Sequence, residues 1–183
     1  MTTRRAAVLA HLPRDGEGCE IGVFRGDFSA LILDRLRPRR LHLIDPWRSS
    51  HDPEHADALY AAGSGNDMEA LHAAVLTRFA DEIASGRVHP IRGTVAEAAA
   101  EIPDASLDFA YVDGDHREAA VLADLEFALS KTRPGGAIAL DDYHLGGWWG
   151  DGVHRGAHRF LGRHPGALEI LAAPADQLVL RRR

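Results

Sequence analysis

The sequence predicts an α/β fold with an open, doubly wound and mostly parallel sheet that carries helices on both faces. Short apolar runs bounded by Gly, Pro or Asp alternate along the chain with longer stretches of helical period, which is typical of βαβ units. The 183 residues are 45% hydrophobic, which suits one domain with a sizeable core. We therefore expect a single domain over residues 1–183.

The predicted elements follow one another in a regular order. A short helix leads the chain, and strands are expected near 19–23, 40–44, 88–92, 107–112 and 136–140. Helices are expected near 27–36, 66–84, 94–102, 117–130 and 153–163. The apolar segments LEILAA and QLVLRR lie close together near the end of the chain, and they predict a terminal antiparallel pair of strands.

Composition narrows the classes of function. The net charge is −6 and the arginines are scattered, which predicts that neither nucleic acid nor a membrane is a partner. The first residues lack a long apolar region and a cleavage pattern, so we expect no secretory signal and a cytoplasmic location. The single cysteine, Cys19, excludes an internal disulfide and lies in an apolar strand, which predicts a buried thiol. The one lysine, Lys131, lies outside any phosphate-binding P-loop pattern.

The stretch CEIGVFRGDFSALIL joins the first strand to the first helix. Doubly wound sheets bind ligands beyond the carboxyl ends of their strands, so this turn is a candidate cofactor loop. Its spacing from Glu20 to Gly26 is E-x-G-x-x-x-G, which differs from the G-x-G-x-x-G of dinucleotide folds. We expect Asp27 to cap the helix and to put a negative charge where a pyrophosphate would lie. A cofactor without phosphate therefore fits better.

S-adenosylmethionine is such a cofactor. Glu20 is placed to hold its ammonium group, and Gly22 allows the backbone to approach closely. Asp45, which ends the second strand, is placed to accept hydrogen bonds from both ribose hydroxyls. NAD would use an acid there too, and glycines can simply turn the chain, so this loop alone leaves the cofactor open. The other candidate cofactor contacts are Gly26, Ser29 and Asp113.

A second cluster of acidic residues follows strands four and five. The segment YVDGDH places Asp113, Asp115 and His116 after one strand, and ALDDYH places Asp141 and Asp142 after its neighbour. Converging carboxylates need a cation, and oxygen ligands favour a hard ion such as Mg²⁺. Such an ion would hold an acceptor oxygen in line with the methyl donor. His116 and Asp115 are both candidate general bases, and the choice between them stays open.

Together these stretches resemble a class I S-adenosylmethionine-dependent methyltransferase, specifically the small-molecule O-methyltransferases of the macrocin, catechol and caffeoyl-CoA types. The matching segments are EIGVFRGDFS, LIDPW, YVDGDH, RPGGAIALDDY and GGWWGDGV. The resemblance covers nearly the whole chain. It implies a Rossmann-like, seven-stranded sheet with a reversed last strand, and a Mg²⁺-assisted transfer of a methyl group to a hydroxyl of a small molecule.

The resemblance also assigns residues. It implies cofactor contacts at Glu20, Gly22 and Asp45, metal ligands at Asp113, Asp141 and Asp142, and an adenine position near Gly93 and Thr94. Two departures limit the transfer of roles. Catechol-type relatives have Asn at the position of Asp142 and a lysine base at that of His116, whereas sugar-modifying relatives have an aspartate at that of Asp115. The chain also lacks the N-terminal extension of many relatives, so we expect a pocket that is either open or closed by a second subunit in a homodimer.

Two loops are expected to lie near the site. Residues 47–67 form a long polar insertion, and loops of that length beside a site are often lids. Its His51 and His55 have the H-x-x-x-H spacing, but the glutamate of zincins is missing, so we expect no zinc pair. Trp148 and Trp149 are predicted to stack on a flat acceptor or to cover the cleft, the alternatives being a core anchor or a dimer contact.

The sequence leaves three alternatives to the Mg²⁺-assisted O-methyltransferase. The first is a metal-independent methyltransferase whose acidic cluster orients a basic acceptor. The second is a nicotinamide-dependent oxidoreductase, which the spacing of the first loop and the absence of a Tyr-x-x-x-Lys pair disfavour. The third is a non-catalytic binding module that keeps the cofactor fold.

Overall fold

A sheet of seven strands forms the centre of the computed structural model, which describes residues 5–147 and 149–183. The strands are β1 (Glu17–Ile21), β2 (Arg40–Asp45), β3 (Val88–Arg92), β4 (Leu107–Val112), β5 (Thr132–Leu140), β6 (Leu168–Ala172) and β7 (Leu178–Arg182). Their order across the sheet is β3-β2-β1-β4-β5-β7-β6. Among the described strands, β7 alone points in the opposite direction, so its pairings with β5 and β6 are antiparallel and the other four pairings are parallel. The doubly wound sheet with a reversed last strand is thus confirmed.

Six helices and one short 3₁₀ segment connect the described strands, and a second 3₁₀ segment precedes β1. The helices are α1 (Asp27–Arg35), α2 (Met68–Arg78), α3 (Ala80–Ala84), α4 (Val95–Ala98), α5 (Glu118–Lys131) and α6 (Gly152–Arg163). The 3₁₀ segments are Ala6–His11 and Pro53–His55. The single helix predicted near 66–84 is divided at Phe79, whose backbone leaves the helical region (φ −108°, ψ 24°) while its ring packs into the core.

The ends of two strands differ from the prediction for identifiable reasons. β1 ends at Ile21 instead of residue 23 because Gly22 adopts a positive φ of 87°. β5 begins at Thr132, before the predicted 136, and its first half includes the exposed Pro134 and Gly135 and the buried Gly136. A shift of register against β4 between Leu107 and Phe109 accommodates them.

The core lies on both faces of the sheet. One face packs α4, α5 and α6 against the strands through residues such as Leu125 and Phe160. The other packs the Ala6–His11 segment, α1 and α2 through residues such as Ile32 and Val75. Every residue of β4 is buried, as expected for a central parallel strand covered on both sides.

Two composition-based predictions can be compared with this core. Cys19 is fully buried, and burial raises the pKa of its thiol, which keeps it protonated and unreactive. Within the described residues no helix combines the length and the apolar character needed to cross a membrane. The order of strands changes direction between β1 and β4, and the loops that follow these two strands form the candidate site.

Candidate functional site

The loop after β1 lies directly against the loop after β4. A Cβ atom at Gly22 would overlap the Asp113 carbonyl, so only glycine allows the two loops to meet. The Gly22 amide donates to the Ile44 carbonyl of β2 at 2.9 Å, which ties the same turn to a third strand. The sequence therefore needs glycine here for packing, whatever ligand binds above it.

Glu20 is a carboxylic acid enclosed in the core, with only 1% of its surface exposed. The Ser29 hydroxyl donates to its Oε2, whereas no described residue donates to its buried Oε1. Burial raises the pKa of Glu20 to about 8, although the Ser29 hydrogen bond and Arg5 oppose that shift. A buried carboxylate oxygen without a partner suits a cationic group brought by a ligand.

Asp45 organises the cofactor loop through its backbone. Its Oδ2 accepts hydrogen bonds from the amides of Val23 and Phe24, both at 2.9 Å, and its Oδ1 accepts from the amide of Trp47 at 2.7 Å. An ionised carboxylate offers about four acceptor positions, so these bonds leave about one for a ribose hydroxyl. Burial raises the pKa of Asp45, in spite of the three amide donors.

The prediction that Asp27 caps the first helix is wrong. The capping position is Gly26, which takes the left-handed conformation (φ 72°), and no side chain of the described residues caps the helix. Asp27 is instead the first helical residue, and its Oδ1 accepts from Arg78 Nη1 at 2.6 Å. Gly26 faces Phe79, whose ring leaves no room for a Cβ atom. These two residues therefore have structural roles in this loop.

Gly93 and Thr94 follow β3, beside the end of β2. The Gly93 amide donates to the Asp45 carbonyl at 3.0 Å, which holds this turn next to the predicted ribose acid. Thr94 caps α4 in a capping box with Glu97, whose carboxylate accepts from the Thr94 amide at 2.7 Å. The polar groups of Thr94 thus serve the helix, and the contact of Gly93 and Thr94 with an adenine stays a prediction.

Asp113, His116 and Asp142 come together after β4 and β5. His116 Nε2 lies 3.5 Å from Asp113 Oδ1 and 3.4 Å from Asp142 Oδ2. One ligand atom from each of the three residues lies within 4.8 Å of the others. Burial and the neighbouring carboxylates raise the pKa of Asp142 to about 6. Burial disfavours the charged form of His116, but Asp113 and Asp142 outweigh it and raise the pKa of this imidazole.

Asp141 belongs to a different set of contacts from the one predicted. Its Oδ1 accepts from Gln177 Nε2 at 3.0 Å, and its Oδ2 lies 2.7 Å from Arg5 Nε. The carboxylate thus faces Arg5 and Gln177. Asp141 is close to the other two aspartates but is not in the group whose ligand atoms lie within 4.8 Å of one another, which consists of Asp113, His116 and Asp142.

Asp115, the other candidate base, is held from several sides. Its Oδ2 accepts from Arg117 Nη2 at 2.8 Å and Nε at 2.9 Å, and lies 3.1 Å from His55 Nε2. Its Oδ1 accepts from the Arg117 amide. Burial alone would raise the pKa of Asp115, but the hydrogen bonds from Arg117 lower it. This carboxylate is therefore a weak base that fastens neighbouring segments together.

The predicted lid, residues 47–67, is joined to the site through His55 and Arg117. His55 is buried and its Nδ1 lies 2.6 Å from the Ser50 hydroxyl. Arg117 reaches the same loop through Asp52 at 2.9 Å and Glu54 at 3.4 Å. His55 thus contributes to the structure of the loop.

A cavity of about 280 Å³ lies between this loop and the acidic group, lined by His55, Tyr60, Asp115, His116 and Trp149 among others. The Trp149 ring meets the His116 ring edge to face, with centroids 4.5 Å apart. Trp149 also borders a second cavity of about 450 Å³. The partner residue predicted with it, Trp148, lies outside the described residues.

Three residues of the site were missed by sequence reasoning. Arg5 reaches the acidic cluster from the N-terminal segment, Gln177 reaches it from the turn before β7, and Arg117 fastens the lid. Only Arg117 carried a usable signal, because it directly follows the YVDGDH segment. Arg5 and Gln177 lie far from the site in sequence and belong to no recognisable motif.

A protein-family model described as a methyltransferase domain matches residues 19–143. No curated protein matches the chain. Among solved structures, a candidate rRNA methylase from Clostridium thermocellum superposes with a TM-score of 0.70 at 13% identity, covering 100% of this chain and 97% of that chain. An rRNA methylase from Streptococcus thermophilus gives 0.63 at 11%, covering 100% and 98%. The O-methyltransferase TomG from Streptomyces achromogenes, solved with S-adenosylmethionine, gives 0.61 at 18%, covering 98% and 78%.

These comparisons overturn the prediction that nucleic acid is excluded as a partner. Two of these three solved structures carry rRNA methylase descriptions, and they match over nearly their full lengths. The exclusion relied on a net charge of −6 and scattered arginines, but a charge averaged over the chain does not report the local surface around a site. At these identities the likeness establishes the fold and leaves the acceptor undetermined.

Proposed function

Since the chain belongs to the methyltransferase domain family and is an S-adenosylmethionine-dependent enzyme, we propose that it transfers the methyl group to a hydroxyl group of a small molecule. The proposal treats residues 1–183 as a single catalytic domain. The family match sets aside the nicotinamide-dependent oxidoreductase and the non-catalytic binding module.

The observation that carries the proposal is the cavity of about 280 Å³ beside His116. It has about the volume of the smallest ligand pockets, and a potential base and an aromatic ring both border it. The loop fastened by His55 and Arg117 closes one side of this space. A partly open cavity of this size suits a small acceptor.

The cofactor in this proposal lies over the loops after β1 and β2. Glu20 supplies the buried negative charge for the ammonium group, and Gly22 provides the close backbone approach. Asp45 accepts a hydrogen bond from a ribose hydroxyl with its remaining acceptor position. Gly93 and Thr94, which adjoin Asp45, border the adenine.

We assign proton removal to His116 in preference to Asp115. The pKa of His116 is raised, because Asp113 and Asp142 stabilise the imidazolium, so this ring accepts a proton from an acceptor hydroxyl more readily than an ordinary histidine. Asp115 has a lowered pKa, and both of its oxygens accept hydrogen bonds from Arg117. The geometry therefore favours His116 as the base.

Mg²⁺ enters the proposal through Asp113, Asp142 and His116. The two carboxylates suit Mg²⁺ or Mn²⁺, whereas the imidazole nitrogen suits a transition metal better than Mg²⁺. When bound, such an ion supplies Lewis-acid activation of the acceptor hydroxyl. The Nε2 atom of His116 cannot bind an ion and accept a proton at once. His116 is therefore the base only in the metal-independent form of the reaction, and EDTA distinguishes the two forms.

The test is an acceptor screen with methyl-labelled S-adenosylmethionine, using phenols, catechols, sugar alcohols and total RNA, each with Mg²⁺ and with EDTA. We expect an O-methylated small molecule by mass spectrometry, and a fall in turnover of about 100-fold in His116→Gln. His51→Gln, an exposed histidine of the lid, is the matched control and should keep the wild-type rate. Labelling of RNA or of amines alone would refute the proposal.

A further inference from the structure

Arg5 reaches from the N-terminal segment to the ends of β4 and β5. Its Nη2 donates to the Asp113 carboxylate, and its Nε lies 2.7 Å from Asp141 Oδ2 and donates to the Tyr111 hydroxyl at 2.8 Å. One guanidinium thus joins two of the three aspartates that the resemblance marks as metal ligands. The contacts link parts of the chain that are more than 100 residues apart.

The guanidinium lies in a pocket of aromatic rings. It is 4.6 Å from the centroid of the Phe28 ring and 5.4 Å from that of the Tyr111 ring. About a third of the Arg5 side chain is exposed, so the cation is held by two rings and two carboxylates while one side stays open to solvent. These contacts fix the orientation of the planar guanidinium and strengthen its ion pairs with Asp113 and Asp141.

The charges explain why a cation is needed at this position. Asp113, Asp141 and Asp142 converge. Besides burial, the charge of Asp113 raises the pKa of Asp141, and the charges of Asp141 and Asp113 raise the pKa of Asp142. Arg5 neutralises the Asp113 and Asp141 side of the cluster, while His116 lies between Asp113 and Asp142. Asp113 is therefore shared between the Arg5 contact and the group that could hold an ion.

We propose that Arg5 and a divalent cation are alternative occupants of this acidic cluster, so that an ion binds at Asp113 only when Arg5 has left it. This inference rests on the proposed metal-binding group of Asp113, His116 and Asp142. A guanidinium paired with Asp113 removes one of the negative charges that an ion needs, and it repels a dication placed a few ångströms away. With Arg5 in place, the protein has its own cation in the cluster.

The exchange needs only a small movement of the chain. Arg5 precedes the Ala6–His11 segment, in which Val8 and Leu9 are buried and anchor the segment to the core. The Arg5 side chain is less buried than these two residues, so it can swing into solvent while the segment stays packed. An open conformation therefore requires no unfolding of the N-terminal segment.

The test is a titration with Mn²⁺ alone, followed by electron paramagnetic resonance, of the wild type, Arg5→Gln and Arg14→Gln. Arg14 is an exposed arginine nearby in sequence, so its variant matches the change of charge without touching the cluster. We expect Arg5→Gln to bind Mn²⁺ at least about tenfold more tightly than the wild type, and Arg14→Gln to behave as the wild type. Adding Asp113→Asn to Arg5→Gln should abolish the gain.

Two results would overturn the inference. One is equal Mn²⁺ affinity in the wild type and Arg5→Gln, and the other is no measurable binding in either protein. Arg5→Lys provides a second variant if Arg5→Gln fails to fold. It should bind Mn²⁺ with intermediate affinity, because Lys keeps the positive charge but lacks the planar guanidinium that reaches two carboxylates at once. A parallel titration of the wild type with S-adenosylmethionine separates the two proposals. If the cofactor binds while Mn²⁺ affinity is unchanged in the variants, only the role of Arg5 fails.

Discussion

Glu20→Gln tests whether the buried carboxylate of β1 holds the ammonium group of S-adenosylmethionine. In the free protein the pKa of Glu20 is raised to about 8, so about 9% of the side chain is ionised at pH 7 and half at pH 8. Because the ammonium group binds the ionised form, cofactor affinity should increase about fivefold between pH 7 and pH 8. Binding at pH 7 should also release close to one proton for each cofactor bound.

Isothermal titration in two buffers of different ionisation enthalpy measures both quantities. Glu20→Gln should bind the cofactor more weakly, without the increase between pH 7 and pH 8 and without proton release. Since the folded-state pKa lies above the unfolded value, the neutral form stabilises the free protein at low pH, and that stability is lost as the pH rises through about 8. The melting temperature of Glu20→Gln should therefore exceed that of the wild type at pH 9. A wild-type affinity that stays constant from pH 6.5 to pH 8.5 would refute this reasoning.

Three further substitutions test the structure around the site. Gly22→Ala should lower the free energy of unfolding, measured by urea denaturation, by more than about 2 kcal/mol, because its Cβ would overlap the Asp113 carbonyl. An unchanged urea midpoint would contradict the close contact between the two loops. Asp45→Asn should lower the free energy of unfolding by about 1–3 kcal/mol, because the new side-chain NH₂ group would face backbone N–H donors instead of accepting from them. A melting temperature equal to that of the wild type would contradict this prediction. Arg117→Gln should change stability by less than about 1 kcal/mol, since its side chain is 39% exposed, yet hydrogen exchange should accelerate over residues 50–61. Unchanged exchange there would show that Arg117 does not fasten the loop.

The sheet and its order could be predicted because the evidence for them is local. Short apolar runs and glycine turns mark each strand, and the terminal pair of strands was visible in LEILAA and QLVLRR. The boundaries that differed depend on tertiary contacts. Phe79 divides the predicted helix because its ring packs in the core, and Gly22 ends β1 because two loops meet there.

The candidate site could be predicted only in part, for a related reason. Asp113, His116 and Asp142 follow their strands directly, so parallel pairing alone brings them together. The orientation of Asp141 depends on Arg5 and Gln177, which come from opposite ends of the chain. Asp27 had the residue type of a helix cap, but the left-handed backbone of Gly26 moved the cap by one position. Contacts of this kind have no sequence pattern.

The most direct test of the account is a titration of the purified protein with S-adenosylmethionine and, separately, with NAD⁺. We predict that S-adenosylmethionine binds at one site per chain and that NAD⁺ produces no binding heat, because the loop from Glu20 to Gly26 offers a buried acid, and Asp27 places a negative charge at the start of α1, where a pyrophosphate would lie. Binding of NAD⁺ without binding of S-adenosylmethionine would contradict the account.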